Sequence, residues 1–429
     1  MKFLPAIIFS TMFFLLSQLS CNAVVEIPST FNPIGSGARA VGINAFIGIA
    51  DDVTAASWNP AGMVRQEELF ELSFVTTYLY RTEDHTMGDN PIADIKHSVS
   101  DFNVNYLGIM STFEAYGKNM SVALSYQHLY DFNRSWKFPY HESTGGLTRK
   151  ENWNYEQTGA LSALGLSYCI ELIKPKLSLG FTLNIWDNNI SPNHWTQTYH
   201  MTSKLAVEDY IIEVTYDKTE DFSFDGINMN IGLMWNVNYK LSLGAIVKTP
   251  FNADIEHSIK GGAFDVDVVQ HEHLEMPLSY GIGMVYRFSD QFYMSADLYK
   301  THWDDFVYTD QFGNQTCPIS DRNYAMSDIK PTYQVRAGIE YLKLYPNHQS
   351  AIPFRLGVFY DPAPEENNPD DFWGISLGTG WIKNNIGSLD IAYMYRLGND
   401  VESSTLKDLD FSQDVLEHMV YVSVISYFY

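Results

Sequence analysis

A strict alternation of apolar and polar side chains limits the folds open to this chain more than any other feature of its sequence. Apolar residues occupy every second position in residues 177–185, 278–286, 333–341, 354–360 and 389–397, and most positions between them are polar or glycine. Successive side chains point to opposite faces of a β-strand, so each segment predicts a strand with one apolar and one polar face. A chain dominated by such segments folds as an all-β protein.

The connections between the predicted strands alternate between long and short along the whole chain. A transmembrane β-barrel of the outer-membrane type has this asymmetry, together with an even number of antiparallel strands. A tilted strand needs roughly 9–11 residues to cross a bilayer, and most of the segments are long enough. We predict fourteen strands, at 68–81, 101–112, 119–131, 156–172, 177–187, 223–237, 240–250, 276–288, 292–304, 332–344, 352–361, 371–383, 387–397 and 418–429. The long connections are then 82–100, 132–155, 188–222, 251–275, 305–331, 362–370 and 398–417.

A soluble β-sandwich or propeller also has alternating strands, but neither fits the rest of the sequence. A sandwich gives no reason for the regular alternation of long and short connections, and a propeller predicts a repeat of about 40–50 residues, which we do not find. Charged residues in the middle of predicted strands, among them Arg336, Glu340 and Asp390, suit a water-filled lumen. The sequence therefore predicts an all-β transmembrane fold, a 14-stranded antiparallel outer-membrane β-barrel spanning residues 67–429.

Residues 1–23 have the features of a secretory signal peptide. Lys2 is followed by an apolar run from Phe3 to Leu16, and small residues precede a cleavage site after Ala23. The alternatives are a transmembrane anchor, which needs about 20 apolar residues, and a lipoprotein acylated at Cys21. Export and an even strand number predict a barrel in the outer membrane of a Gram-negative-type bacterium, with both termini in the periplasm. A formal net charge of -24 disfavours nucleic acid as a partner.

Aromatic residues near strand ends predict girdles at the two membrane–water boundaries, and the final strand ends on such a residue. Residues 419–429 resemble the terminal signal read by the machinery that inserts outer-membrane barrels, which makes that machinery an expected partner. The predicted girdle residues are Tyr78, Tyr80, Trp186, Tyr299, Trp303, Trp381, Tyr427 and Tyr429.

Residues 24–66 do not alternate and are rich in glycine, alanine and serine. Fourteen strands enclose a lumen too wide for wall side chains alone to fill, so a compact segment before the first strand predicts a plug. Ile43, Phe46, Ile47 and Trp58 need burial, which favours a plug over the alternative of a flexible periplasmic leader.

Several motifs resemble the FadL-type outer-membrane channels for long-chain fatty acids and hydrocarbons. Residues 35–62, with Asp51-Asp52 and Asn59-Pro60-Ala61, look like the family's hatch, and we use that name for residues 24–66. The resemblance extends over essentially the whole mature chain through Lys248-Thr-Pro-Phe251, residues 286–290 and 297–303, Phe359-Tyr-Asp-Pro362 and the closing strand.

The resemblance implies facilitated diffusion of hydrophobic molecules across the outer membrane, gated by Asp51, Asp52, Asn59, Pro60 and Ala61 of the hatch. It also implies release sideways through the wall beside a kinked third strand. Residues 121–130 contain no Gly or Pro that would predict such a kink. The alternative to transport is a structural or assembly barrel that carries nothing.

Two further groups of side chains are candidates for contact with a ligand. Charged residues of the lumen would meet a carboxylate head group or form ion pairs with the plug, and apolar residues of the external loops would form a landing groove or pack between loops. The lumen candidates are Lys248, Arg287, Asp297, Arg336, Glu340, Arg355, Asp390 and Arg396. The external candidates are Trp136, Phe138, Trp153 and Trp195, within a larger set of loop aromatics.

Catalytic and metal-binding patterns are weak in this sequence. His271-Glu272-His273 has metal-like spacing without a third ligand in view. A barrel hydrolase needs Ser, His and a polar orienter on one wall face, but His257-Ser258 is expected in a loop. No GxSxG, P-loop or Rossmann fingerprint occurs. We therefore expect no enzyme activity, no cofactor and no metal, and a monomer surrounded by outer-membrane lipid and lipopolysaccharide.

Overall fold

The computed structural model describes most of the chain after the first residues of the hatch. The predicted signal peptide 1–23, residues 24–34 and 66 of the hatch, and Tyr429 lie outside the described residues. Within the described part, no helix has the length and apolar composition needed to cross a bilayer. The described residues are 35–65, 70–88, 90, 92–144, 147–207, 210–262, 264–403, 406 and 410–428.

Fourteen of the described strands form a closed antiparallel ring. The ring closes where the first strand pairs with the last, from Phe70 opposite Phe428 to Met87 opposite Phe411. The barrel strands are β1 (Phe70–Met87), β2 (Lys96–Ala115), β3 (Lys118–Asp131), β5 (Leu147–Ile173), β6 (Leu177–Trp186), β8 (Tyr210–Asn236), β9 (Leu241–Lys248), β12 (Ser279–Arg287), β13 (Phe292–Thr301), β17 (Thr332–Tyr345), β18 (Ser350–Tyr360), β19 (Phe372–Lys383), β20 (Gly387–Val401) and β21 (Phe411–Phe428). Each predicted strand overlaps one of these, so the predicted fold class and strand number are confirmed.

The barrel has its apolar side chains outside and its polar side chains inside. In β6, Leu179 and Phe181 are 38% and 40% exposed, whereas Thr182 and Asn184 are buried. The other barrel strands repeat this inversion, with leucine, isoleucine, valine and aromatic side chains on the outer surface. Apolar area exposed to water is unfavourable, so this surface is suited to lipid.

The predicted aromatic girdles are only partly correct. Tyr78, Tyr80 and Trp381 are exposed on the outer surface, as predicted. Trp186, Tyr299, Trp303 and Tyr427 instead line cavities inside the barrel. Trp186, Tyr299 and Tyr427 each have the same parity as an inward polar residue of their strand, such as Ser178 for Trp186. Trp303 lies beyond the end of β13, in a short 3-10 helix.

Seven further strands lie where long connections were predicted. Three of them pair directly with extensions of β5 and β8 beyond the barrel rim, at residues 147–161 and 210–225, and the other four continue the sheet from the edge of the third. We call these seven strands and the two extensions the outer sheet. Its added strands are β4 (Arg134–Thr144), β7 (Asn193–Val207), β10 (Phe251–Gly261), β11 (Val266–Met276), β14 (Val307–Thr309), β15 (Gln315–Cys317) and β16 (Arg322–Asn323).

The prediction of open connections at 132–155, 188–222, 251–275 and 305–331 is therefore wrong. The buried face of β7 mixes Trp195, Tyr199 and Met201 with Gln197 and Ser203, so the alternation there is one of burial rather than of hydrophobicity. A pattern search based on hydrophobic period alone misses such a strand.

The hatch lies in the lumen and contacts the wall around most of its circumference. Its described part contains α1 (Ala38–Ile43) and two 3-10 helices, Val53–Ser57 and Pro60–Arg65. α1 packs against β17–β21, and the second 3-10 helix packs against β3, β5, β6 and β8. Nearly every described hatch residue is buried. Short 3-10 helices also occur at Trp303–Asp305, Tyr324–Met326 and Pro346–His348.

The short connections all lie at the barrel end opposite the outer sheet, which we call the short-turn end. β2 and β3 are joined by Tyr116 and Gly117, both with positive φ, as a two-residue hairpin requires. A cavity at this end is lined by hatch residues and by residues of β17–β21.

Candidate functional site: hatch, lumen and cavities

Glycines of the wall allow the hatch backbone to lie directly against the strands. A Cβ atom added to Gly232, Gly244 or Gly338 would come closer than 3.0 Å to Asn59 Oδ1, Ile47 O or Ile43 O respectively. Real Cβ atoms essentially never approach other atoms that closely. These inward positions therefore require glycine as long as the hatch occupies the lumen.

The Asn59-Pro60-Ala61 motif holds two turns of the hatch together. Asn59 is fully buried, and its Nδ2 donates to Ile47 O at 2.8 Å while its Oδ1 accepts from Ala61 N at 3.2 Å. Pro60 is the first residue of the second 3-10 helix, where a missing N–H costs nothing. Ala61 O accepts a hydrogen bond from Ser178 Oγ of β6 at 2.6 Å. The motif thus fixes the hatch both internally and against the wall.

The two neighbouring aspartates have different partners. Asp52 caps the first 3-10 helix, because its Oδ1 accepts from Thr54 N at 2.8 Å, and it is buried. Burial raises the pKa of Asp52, and the charge of Arg39 and the bonds from Thr54 oppose that rise only in part. Asp51 pairs with Arg39, whose Nε also lies 3.5 Å from Glu340 Oε2 of the wall. Arg39 therefore links the hatch to β17.

Most of the predicted lumen charges form ion pairs within the wall. Arg355 pairs with Glu340 and, at 2.5 Å, with Asp390. Arg396 Nη1 lies 3.0 Å from Glu417 Oε2. Arg336 lies 3.4 Å from Asp361 Oδ2, and its Nη1 donates to Asn44 Oδ1 of the hatch at 3.2 Å. These groups are buried, so the charges are compensated where water is scarce.

The remaining lumen candidates behave differently from the arginines of the ion pairs. Asp297 Oδ2 accepts from the backbone N–H groups of Phe46 and Ile47, at 2.6 and 2.9 Å, and so holds the middle of the hatch. Arg287 lies half-buried at the last position of β12, with Nη1 3.3 Å from Ser242 Oγ. Lys248 lies beside the hatch, 4.5 Å from the centroid of the Trp58 ring.

Three cavities lie in the lumen, and hatch residues line the first and the third of them. The first, of about 870 Å³, combines apolar residues such as Leu79 and Met394 with Asp101, Asp131, Asp361 and Arg396. The second, of about 600 Å³, contains Lys248 and shares Leu129 with the first. The third, of about 780 Å³, lies at the short-turn end and contains Arg39, Asp51, Asp52, Glu340 and Arg355. The hatch therefore separates two cavities toward the outer sheet from one at the opposite end.

The wall beside the first cavity is incomplete. The ladder between β2 and β3 stops at the pair Tyr106–Gln127, although both strands continue. The register of β3 against β5 also shifts between His128 and Tyr130. Asn103 Nδ2 and Asp131 Oδ2 bridge the separated strands at 3.0 Å. The irregularity arises in a strand without Gly or Pro, so sequence reasoning gave no signal for it.

The four external aromatic candidates lie in strands of the outer sheet, not in irregular loops as predicted. Trp136 and Phe138 belong to β4, Trp153 to β5 and Trp195 to β7. Trp136, Phe138 and Trp195 are buried. Trp195 stacks on Phe222 with ring centroids 4.8 Å apart, and Phe138 stacks on Trp153 at 5.9 Å. Packing between strands accounts for their burial.

The outer sheet also contains a buried histidine between two carboxylates. His257 lies in β10, not in a loop as expected, and its Nδ1 and Nε2 are 3.0 and 3.2 Å from Glu272 and Glu220. Burial lowers the pKa of His257, but the bonds and charges of Glu220 and Glu272 raise it more, so the net shift is upward. The His257 side chain therefore links β8, β10 and β11.

The arrangement of these side chains gives little support for metal binding. Glu272 points to the buried face of β11, whereas His271 and His273 are on its exposed face, so the three residues do not converge. Among the described residues, ligand atoms of His302, Asp304 and Asp305 lie within 4.8 Å of one another, a group that the sequence analysis did not single out. These groups are partly or fully exposed.

Comparison with known proteins gives a family and a fold. The sequence model of the family described as "Outer membrane protein transport protein (OMPP1/FadL/TodX)" matches residues 29–425. No curated protein sequence matches this chain significantly. A crystal structure of a Pseudomonas aeruginosa FadL homologue is 13% identical, with a TM-score of 0.65, over 93% of this chain and 100% of that one.

Two other solved structures have the same fold at similar identity. The CymD monoaromatic hydrocarbon channel is 14% identical, with a TM-score of 0.53, over 93% of this chain and 99% of that one. The Pseudomonas putida toluene transporter TodX is 14% identical, with a TM-score of 0.52, over 93% of this chain and 100% of that one.

Proposed function

Because this chain belongs to the outer membrane transport protein family OMPP1/FadL/TodX, a family of channels for hydrophobic compounds, we propose that it conducts long-chain fatty acids or hydrocarbons by facilitated diffusion. The observation that carries the proposal is the hatch between interior cavities. An occupied lumen blocks free passage of water and ions, while the cavities on either side offer partly apolar surfaces to a ligand. Movement of the hatch would then control passage.

The two ends of the barrel support an orientation in the membrane. Barrels of this type have short turns on the periplasmic side and long connections outside. The short-turn end would face the periplasm together with both termini, and the outer sheet would project from the cell among lipopolysaccharide. The last strand would be read by the barrel-assembly machinery, and the barrel would act as a monomer.

The proposed exit leads sideways from the first cavity. Its wall is formed partly by β2 and β3, which are no longer paired beyond Tyr106 and Gln127. A ligand that leaves there enters the membrane without crossing the water-filled end of the barrel. Apolar molecules are costly to place in water, so this route has the lower barrier for them. The hatch residues Gly35, Ser36 and Val41 line the same cavity and would be displaced as the ligand passes.

Uptake by cells tests the proposal against a barrel that transports nothing. Cells lacking the gene would be complemented with the natural protein, Asn59→Ala or Pro60→Ala, and given labelled palmitate or toluene. Loss of Asn59 leaves Ile47 O and Ala61 N without their buried partner, which costs about 1–3 kcal/mol of hatch stability. We expect uptake with the natural protein and a changed rate with Asn59→Ala.

The control is Asn189→Ala, an exposed asparagine outside the hatch. It should leave uptake unchanged when surface expression is equal. Equal uptake of both compounds by cells with and without the protein would reject their transport and favour a structural barrel. Equal uptake by all variants, above that of cells lacking the gene, would retain transport and reject gating by Asn59.

A further inference from the structure

We propose that the second cavity is a head-group site for an anionic amphiphile and that Lys248 determines its specificity by binding the carboxylate. This inference rests on the proposed function, because it concerns what the channel selects. It predicts that the channel prefers carboxylates to neutral hydrocarbons, two ligand classes that the family and the fold do not distinguish.

Lys248 is a lumen cation without an anionic partner. Its Nζ lies 4.5 Å from the centroid of the Trp58 ring and 6.0 Å from that of Tyr299. Among the described residues it forms no salt bridge and no side-chain hydrogen bond. Arg336, Arg355 and Arg396 each face a carboxylate in the same lumen. A half-buried ammonium group with only aromatic faces beside it is poorly compensated, and an incoming anion would supply the missing charge.

The surroundings of Lys248 do not replace that anion. Asn184 Nδ2 donates to Asn228 Oδ1 at 3.1 Å and to Asn230 Oδ1 at 3.2 Å, and Trp186 Nε1 also donates to Asn228 Oδ1, at 3.0 Å. The amide oxygens of the cavity are therefore already used by neighbouring donors. No aspartate or glutamate is among the described residues that line this cavity.

The neighbouring cavity has the opposite charge balance. Asp101, Asp131 and Asp361 line the first cavity with one arginine, Arg396. A carboxylate there would face like charges at low effective dielectric, which is unfavourable. Between two adjoining cavities, the head group of an anionic amphiphile is thus directed to the one that contains Lys248.

Apolar side chains beside the head-group position would accommodate the tail. Trp186, Phe251, Met276 and Trp303 line the second cavity around its polar residues. Leu129 lines both cavities, and Leu79, Met394 and Met419 line the first. The head group would be held at Lys248 while the tail lies toward the open ladder between β2 and β3.

Binding of paired ligands to the purified full-length protein in a non-ionic detergent tests the inference. The probes are palmitate and its methyl ester, which differ in charge but not in chain length, and the readout is quenching of tryptophan fluorescence. Charge-assisted hydrogen bonds in buried sites are the stronger kind, so we expect the natural protein to prefer palmitate by about 10- to 100-fold. Lys248→Met should abolish that preference and leave the affinity for the ester unchanged.

The matched control is Lys300→Met. Lys300 also lies over a tyrosine ring, 5.1 Å from the centroid of Tyr333, but on the exposed side of the barrel. This variant should keep the preference for palmitate, and Lys248→Arg should retain most of it. An unchanged palmitate affinity in Lys248→Met would overturn the inference, and so would an equal loss for both probes, which indicates a structural role.

Uptake assays distinguish failure of the head-group site from failure of the proposed transport function. Uptake of toluene or of the ester without any preference for palmitate would retain transport and reject the head-group site. Palmitate binding that depends on Lys248, combined with no uptake of any probe by cells, would retain the site and reject transport. Heat-modifiable migration on gels would confirm that each variant is folded.

Discussion

The hatch meets the barrel wall in two chemically different ways. On the side of β17–β21, the contacts include charged groups: Arg39 reaches Glu340, and Arg336 donates to Asn44. On the side of β5, β6 and β8, neutral donors meet backbone carbonyls of the hatch, and Arg65 of the hatch donates to the neutral side chain of Asn236. There Ser178 donates to Ala61 O, and Thr182 donates to Ala56 O at 2.7 Å.

This difference indicates which contacts yield when a ligand enters. A buried ion pair needs both partners in good geometry, since separating them leaves uncompensated charge at low dielectric. A hydroxyl–carbonyl hydrogen bond contributes only about 0.5–1.5 kcal/mol net and is readily exchanged for water. We therefore infer that the charged side anchors the hatch and that the neutral side separates first. The second cavity with Lys248 lies on the neutral side.

The largest effect is expected from removing Arg355, which pairs within the wall with Glu340, the carboxylate that Arg39 of the hatch also reaches. In Arg355→Met, Glu340 and Asp390 lose their shared cation and remain buried, which costs about 3–5 kcal/mol. Thermal unfolding of the purified protein in detergent should show a much lower midpoint. Lys343→Met on neighbouring β17 removes an exposed charge and should change little. Similar unfolding midpoints for the two variants would contradict the inference that the charged side anchors the hatch.

An intermediate effect is expected where a wall glycine supports the hatch on the other side. Gly244→Ala places a methyl group against Ile47 O, and overpacking of this kind costs about 1–3 kcal/mol. The hatch should shift and admit small water-soluble solutes, which planar-bilayer conductance measures. Ala245→Val enlarges the neighbouring side chain on the outward face of β9, away from the hatch, and serves as the control. A tight channel in Gly244→Ala would show that the hatch tolerates displacement without opening.

The smallest effect is expected from one neutral contact. Ser178→Ala removes the donor to Ala61 O, and the lost hydrogen bond is worth about 0.5–1.5 kcal/mol. Stability should fall slightly, while uptake of a hydrophobic probe should rise because the yielding side is loosened. Ser100→Ala, at an exposed position of β2, is the reference. A loss of stability as large as that of Arg355→Met would erase the distinction between the two sides.

The barrel itself could be predicted because its alternation is a local property of the sequence. The inward position of Trp186 was also readable, since it shares parity with Ser178 on the polar face of β6. The ion pairs were not readable, because Glu340 and Arg355 face each other only once the register of β17 and β18 is known. Register depends on pairing between strands, which a single sequence does not specify.

The hatch could be predicted from the sequence, whereas the cavities of the candidate site could not. The small residues and the Asn59-Pro60-Ala61 motif indicated a compact segment, and the described part of the hatch has that form. The isolation of Lys248 follows from what its neighbours do, not from its own position, because Asn228 and Asn230 use their oxygens on Asn184. The outer sheet was missed because its buried face is as polar as it is aromatic.

The wall glycines have a consequence for the barrel as a pore. Where side chains are missing from the inner face, the bore is as wide as the backbone allows, and the hatch supplies the bulk that the strands lack. A version engineered without its hatch would expose bare peptide at these glycines, with rows of arginine and carboxylate along one flank. Ions passing through such a nanopore would travel off-centre, close to the charged flank.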